Sequence, residues 1–93
     1  MELQFEWDEQ KNLANIAKHG VDFNDAAKVF ADPSRLERLD DGDHGEERWQ
    51  TLGVVHFGVL FVVYTERRDG VIRIITARQA TRREEKAYRS GRF

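Results

Sequence analysis

The sequence predicts an α+β domain, a small antiparallel sheet of meander type covered by two N-terminal helices, with a third helix closing the chain. Three observations carry this. Apolar residues recur at helical spacing before Pro33, three strand-like runs joined by short turns lie between Arg48 and Arg78, and a capped, highly charged helix pattern occupies residues 82–90. At 93 residues the chain has room for one modest core, so residues 1–93 are read as a single domain.

Phe5-Glu6-Trp7 alternates as a short strand would. Asp8 is placed to cap a helix carrying Leu13, Ile16 and Ala17 on one face, and Gly20 after His19 is its stop. Asp22 caps a second helix, in which Phe23, Ala26, Ala27 and Phe30 fall at i, i+3, i+4 and i+7, until Asp32-Pro33 ends it. Residues 34–39 fit either regular structure by pattern. The segment from Asp40 to Glu47 is acidic and glycine-rich, which marks an exposed loop.

Arg48 to Val55, Val59 to Glu66 and Val71 to Arg78 follow as strands. Their linkers, His56-Phe57-Gly58 and Arg67-Arg68-Asp69-Gly70, are too short for crossovers, so antiparallel hairpins are expected. Val59 to Tyr64, and Val71-Ile72 with Ile74-Ile75, are apolar at both parities, as in strands covered on two faces; the N-terminal helices are expected on one of them. Thr81 and Glu84 form a capping box for the helix from Arg82 to Ser90, with Glu85 and Arg89 spaced for an ion pair and Gly91 as its stop.

Composition excludes several functions. The chain has no cysteine, which removes disulfides, thiol nucleophiles and cysteine-type zinc sites and leaves three histidines as the only soft ligands. No apolar run approaches the about 18 residues of a membrane span, and the N-terminus lacks a signal-peptide layout, so a cytoplasmic protein without membrane contact is expected. The net charge of −2 conceals a division: residues 1–66 hold 6 basic and 14 acidic side chains, whereas residues 67–93 hold 9 basic and 3 acidic. Eight of those nine cations are arginine, whose planar fork matches phosphate. Pairing of this segment with the acidic part of the same chain, or of a partner, is the competing explanation.

The order Phe5-Glu6-Trp7-Asp8, Lys11, Asn15, Lys18-His19-Gly20-Val21, Phe23, Ala26, Val29-Phe30, Asp32-Pro33, Glu47-Arg48, Gly53, Val62-Val63-Tyr64-Thr65-Glu66-Arg67, Arg73-Ile74-Ile75-Thr76-Ala77-Arg78, Ala80-Thr81, Glu84 and Tyr88 resembles the BrnT family of type II toxins. The resemblance runs over nearly the whole chain. It implies a RelE-like ribonuclease that cuts RNA without a metal or other cofactor and slows translation. It also implies a cognate BrnA-like antitoxin through which alone operator DNA is contacted.

Such an enzyme must remove a proton from the 2′-hydroxyl, stabilise the charged phosphorane and protonate the leaving 5′-oxygen. Arg73, Arg78 and Arg82 suit the charge-stabilising task. On a regular strand Arg73 and Arg78 point to opposite faces, so only a bulge, an edge position or separate roles lets both serve; Arg73, among apolar neighbours, is the better structural arginine. His19 matches the family motif, and an imidazole is the side chain suited to give or take a proton near neutral pH; Lys18 precedes it, and both also suit the negative end of a helix without any catalytic role. Glu47 is the carboxylate placed to act as general base or to orient an arginine, with a plain solvated glutamate as the alternative. Arg67, Arg82, Arg83, Lys86 and Tyr88 are candidate RNA contacts, Tyr88 being equally suited to core packing. His44 and His56 are expected to be ordinary exposed histidines. A magnesium or manganese site in the acidic loop is the less favoured reading of that segment, because its spacing matches no EF-hand.

Two other functions remain open on the sequence. A decayed toxin that only holds its antitoxin and modulates DNA binding would need no acid or base. A DNA-binding regulator is disfavoured, since the second helix offers Asp22, Asp25 and Asp32 against Lys28, the wrong sign for a groove.

Overall fold

The computed structural model describes residues 3–42 and 45–93. The expectation for His44 and the centre of the acidic loop therefore lie outside the described residues. The elements are β1 (Phe5–Glu6), α1 (Glu9–His19), α2 (Phe23–Ala27) running into a 3-10 turn (Lys28–Ala31), β2 (Leu36–Leu39), β3 (Trp49–Val55), β4 (Gly58–Glu66), β5 (Ile72–Gln79) and α3 (Arg82–Ser90). They build a sheet in the order β1-β5-β4-β3-β2.

The segment left ambiguous by pattern is strand β2, and β2 to β5 form the expected antiparallel meander. The first correction is β1, which pairs parallel to β5, Phe5 opposite Ile72 and Glu6 opposite Arg73, so the sheet is mixed. A two-residue strand carries no pattern that states its partner. Its direction is set by the long return of the chain, through α1 and α2, across one face of the sheet.

The second correction concerns α1. Its caps are as expected, Asp8 accepting from the Gln10 and Lys11 amides and Gly20 adopting φ 72°, but its buried face is polar. Leu13 is 60% and Ile16 36% exposed, while Asn12 and Asn15 are 2% and 7% exposed. Asn12 accepts from the Phe23 amide at 2.8 Å and donates to Asp22 at 3.1 Å, holding the two helix starts together. Asn15 does more. Because β1 covers only Ile72 and Arg73, the rest of β5 is an open edge, and the Asn15 amide completes it. Asn15 donates to the Ala77 carbonyl at 2.8 Å and to the Val21 carbonyl at 2.9 Å, and accepts from the Ala77 amide at 3.2 Å. Buried backbone groups must find partners, and here that demand outweighed apolar periodicity.

A core lies on each face of the sheet. Val21, Phe23, Ala26 and Val29 pack against Leu60, Val62, Tyr64, Ile72, Ile74 and Ala77 on one. On the other, Leu52, Phe61 and Val63 lie under Ala87 and Tyr88 of α3 and under Phe93. Gly53 admits the 3-10 turn to the sheet, because a Cβ there would run into the Val29 side chain and stand 3.1 Å from the Val29 carbonyl oxygen. α3 has its capping box, formed by Thr81 and Glu84. The expected Glu85–Arg89 ion pair is not formed among the described residues, and an exposed pair of that kind contributes little. No helix among the described residues is long and apolar enough to cross a membrane.

Candidate active site

Strict alternation would separate Arg73 from Arg78, but β5 is not regular. Val63 lies opposite Thr76 whereas the next residue of β4, Tyr64, lies opposite Ile74, so Ile75 is an extra residue and β5 bulges there. Ile72, Ile74 and Ala77 consequently all face the first core, while Ile75 packs on the second. Arg78 pairs with Phe61, its guanidinium carbon 4.1 Å from the ring centroid, and Arg73 pairs with Thr65 two positions beyond Val63. Both arginines thus stand on the face that carries α3.

The bulge also meets α1. Lys11, Ala14, Asn15, Lys18 and His19 form one wall of a shallow groove whose other wall is Ile75 and Thr76. Asn15 sets this distance, since its grip on Ala77 and its contact with the Thr76 hydroxyl at 3.3 Å lock the helix to the strand. Lys18 and His19 occupy the last turn of α1, where the helix dipole favours cations. Lys11, one of the residues that carry the family resemblance, was not among the expected site residues. Its signal was the seven-residue spacing from Lys18, which puts both on one helix face.

Carboxylates of the chain hold the arginines. Arg78 makes two bonds to Glu84, at 2.7 and 3.0 Å, and Glu84 also accepts from the Thr81 amide at 2.9 Å. Burial pushes the Glu84 carboxyl up, but the Arg78 guanidinium and the Thr81 amide outweigh it and hold the group below its ordinary value. Arg73 pairs with Glu6 at 2.8 Å, and Arg67 approaches the same carboxylate at 3.9 Å. Glu47 orients neither. It lies exposed in a cleft with Glu46, Trp49, Thr65, Glu66 and Arg67, and its carbonyl accepts from the Thr65 hydroxyl at 2.7 Å.

The expected residues therefore spread along β5. Glu47, Arg67 and Arg73 lie toward one end, Lys18 and His19 line the groove at Ile75 and Thr76, and Arg78 stands five residues, about 15 Å, beyond Arg73. Arg82, Arg83 and Lys86 are exposed on α3. Tyr88 spends its hydroxyl on Asp32 at 2.5 Å, and that bond together with burial pushes its pKa up to about 12. A further arginine escaped the sequence reasoning. Arg48 stands one residue before the Trp49–Tyr64 pair, so alternation puts it on the same face as Arg73. It is half-buried, its Nη2 reaches Glu46 only at 3.5 Å, and its Nε is buried without a partner. Among the described residues no three His, Asp or Glu are grouped to hold a metal.

Asp22, Asp32, Glu37 and Glu84 all titrate below their ordinary values of 3.8 for aspartate and 4.5 for glutamate. For Glu37 the first cause is the Tyr64 hydroxyl, which donates at 2.6 Å. A depressed carboxylate stabilises the fold fully above its unfolded pKa and loses that contribution as pH falls through the folded one. The urea midpoint is accordingly expected to be level above about pH 5 and to decline steadily toward pH 3. A midpoint that rose on acidification would contradict these bonds.

Comparison with known proteins bears on the same surface. Residues 7–84 match the family model described as the ribonuclease toxin, BrnT, of type II toxin-antitoxin systems. The chain belongs to the BrnT family. That span begins at Trp7 and ends at Glu84, so it takes in α1, the whole sheet after β1 and the partner of Arg78. Among solved structures, the crystal structure of the Brucella abortus ribonuclease toxin BrnT superposes with a TM-score of 0.66 at 24% identity, over 87% of this chain and all of that one. At this identity the likeness speaks for the fold. No curated protein matches the chain.

Proposed function

We propose that this BrnT-family chain is an endoribonuclease that cuts RNA without a metal and inhibits translation in the cytoplasm, until a BrnA-like antitoxin covers it. Operator DNA is reached only through that antitoxin. One observation carries the reading: the bulge at Ile75 sets Arg73 and Arg78 on one face and lays that face beside Lys18 and His19. The RNA 2′-oxygen attacks phosphorus in line, the P–O5′ bond breaks, and a 2′,3′-cyclic phosphate remains. His19 in its neutral form receives the 2′ proton, and the Lys18 ammonium can return one to the 5′-oxygen. Arg78, held by Glu84, stabilises the charge that develops on the phosphoryl oxygens.

At the other end, Arg67 and Arg73 hold the neighbouring strand, and Glu47 accepts hydrogen bonds from its nucleotides. Arg82, Arg83 and Lys86 extend the contact along α3, and Tyr88 serves by tying α3 to Asp32. Antitoxin-free protein is expected to cut several RNAs in EDTA and to leave cyclic phosphate ends. Intact RNA after incubation with folded protein would remove the reading. A second reading, a non-catalytic module that only binds its antitoxin, is favoured by the fact that Arg73 and Arg78 are already neutralised by Glu6 and Glu84. It requires His19→Ala, Glu47→Ala and Arg78→Ala to leave the growth phenotype unchanged.

A further inference from the structure

Beyond the groove at α1, a second basic groove opens between α3 and β2. Arg38, Thr81, Arg83, Glu84, Ala87, Arg92 and Phe93 line it. Three guanidinium groups converge there against one carboxylate, Glu84, and that one is already committed to Arg78 by two bonds. Arg38 has neutral partners: its Nε donates to Gln50 at 2.7 Å and its guanidinium carbon lies 3.9 Å from the Phe93 ring centroid. Arg83 and Arg92 make no ion pair among the described residues.

The groove is continuous with the candidate active site. Phe93 meets Phe61 edge to face, with centroids 6.5 Å apart, and Phe61 carries Arg78 on its ring. Arg38, Phe93, Phe61 and Arg78 therefore form one continuous line of contacts from β2 across to β5, two rings between two guanidinium groups. The return of the chain at Gly91, in the left-handed conformation with φ 71°, brings Phe93 onto the sheet. Lysine would serve solubility equally well, whereas arginine also stacks on rings and forks onto phosphate.

We infer that this groove, with Arg38, Arg83 and Arg92 as its anion-binding groups, holds phosphates of single-stranded RNA leading away from the nucleotide bound at Arg78. The inference rests on the proposed ribonuclease reading for the direction of the strand. Guanidinium groups take phosphate oxygens in pairs, and rings and guanidinium planes accept unstacked bases, the combination used for sequence-tolerant binding of single strands.

The test measures binding and not cutting, using a fluorescent RNA oligonucleotide carrying 2′-O-methyl groups, which 2′-attack cannot cleave. Arg38→Gln/Arg83→Gln/Arg92→Gln is expected to weaken binding by about tenfold to a hundredfold. It should also flatten the plot of log K against log salt by about 2, the slope expected for three lost phosphate contacts on a single strand. Arg38→Lys/Arg83→Lys/Arg92→Lys should restore most of the salt slope, which separates lost charge from lost packing around Phe93. Wild-type affinity and slope in the glutamine variant, with its urea midpoint preserved, would overturn the inference. So would a variant that loses antitoxin binding while keeping RNA binding, since the groove would then take an acidic protein segment. Because the probe is uncleavable, a protein that cuts no RNA can still pass this test, so failure of the catalytic reading remains distinguishable.

Discussion

Asn15→Ala is expected to destabilise the protein by about 3 kcal/mol or more, a larger effect than any substitution at the apolar positions of the same helix. The change removes the partners of the Ala77 amide, the Ala77 carbonyl and the Val21 carbonyl together. Each buried backbone group left unsatisfied costs about 1–3 kcal/mol, and cavity formation adds to that. Asn15→Asp is expected to be no better, since it sets a carboxylate against two carbonyl oxygens where an NH2 group donated to both. Leu13→Ala, by contrast, trims a side chain that is 60% exposed and should change stability by less than about 0.5 kcal/mol. Urea denaturation of the three variants checks the ordering. A midpoint for Asn15→Ala close to that of Leu13→Ala would mean that water completes the β5 edge unaided.

Arg78→Ala is expected to slow RNA cleavage by about a hundredfold to a thousandfold, the usual loss when one preorganised charge-stabilising donor is removed. The expectation follows from how firmly the side chain is held. Glu84 grips the guanidinium through two bonds, Phe61 supports it from the sheet, and the same Glu84 closes the capping box of α3. Arg78→Lys keeps the charge but loses the fork and the ring contact, so most of the rate should be lost while RNA affinity falls less. Glu84→Gln should reduce both the rate and the stability, because one carboxylate serves two structures. Single-turnover cleavage of one RNA, read beside the urea midpoint of each variant, separates these effects. A full rate in Arg78→Ala would take Arg78 out of the reacting centre and favour the non-catalytic module.

Much of this surface was legible in the sequence. The capping residues Asp8, Asp22 and Thr81, the stops at Gly20 and Gly91, the hairpins and the ordered motif ending in Arg73-Ile74-Ile75-Thr76-Ala77-Arg78 depend on local chemistry, which a string of residues records directly. The division of charge was legible as well, and Arg73, Arg78, Arg83 and Arg92 do stand on or beside the face that carries α3. The role of Asn15 was not legible. A polar residue in a helix is read as solvated, and nothing local says that an open strand edge lies beside it.

What the sequence determined by itself, then, was most of the inventory: which segments other than residues 34–39 are helix or strand, which residues cap and stop α1 and α3, which family motif is present and which cations are available. These follow from propensity, capping and periodicity, all of which act over a few residues. The tertiary structure decided the arrangement. It made β1 parallel to β5, turned the asparagines of α1 inward, and inserted Ile75 as a bulge so that Arg73 and Arg78 share a face beside Lys18 and His19. It also gave Glu6 and Glu84, and not Glu47, the task of holding those arginines. The physical reason is that most of these choices satisfy backbone or charged groups against partners distant in sequence, Asn15 with Ala77 and Arg73 with Glu6 among them, and such demands exist only once the sheet has formed.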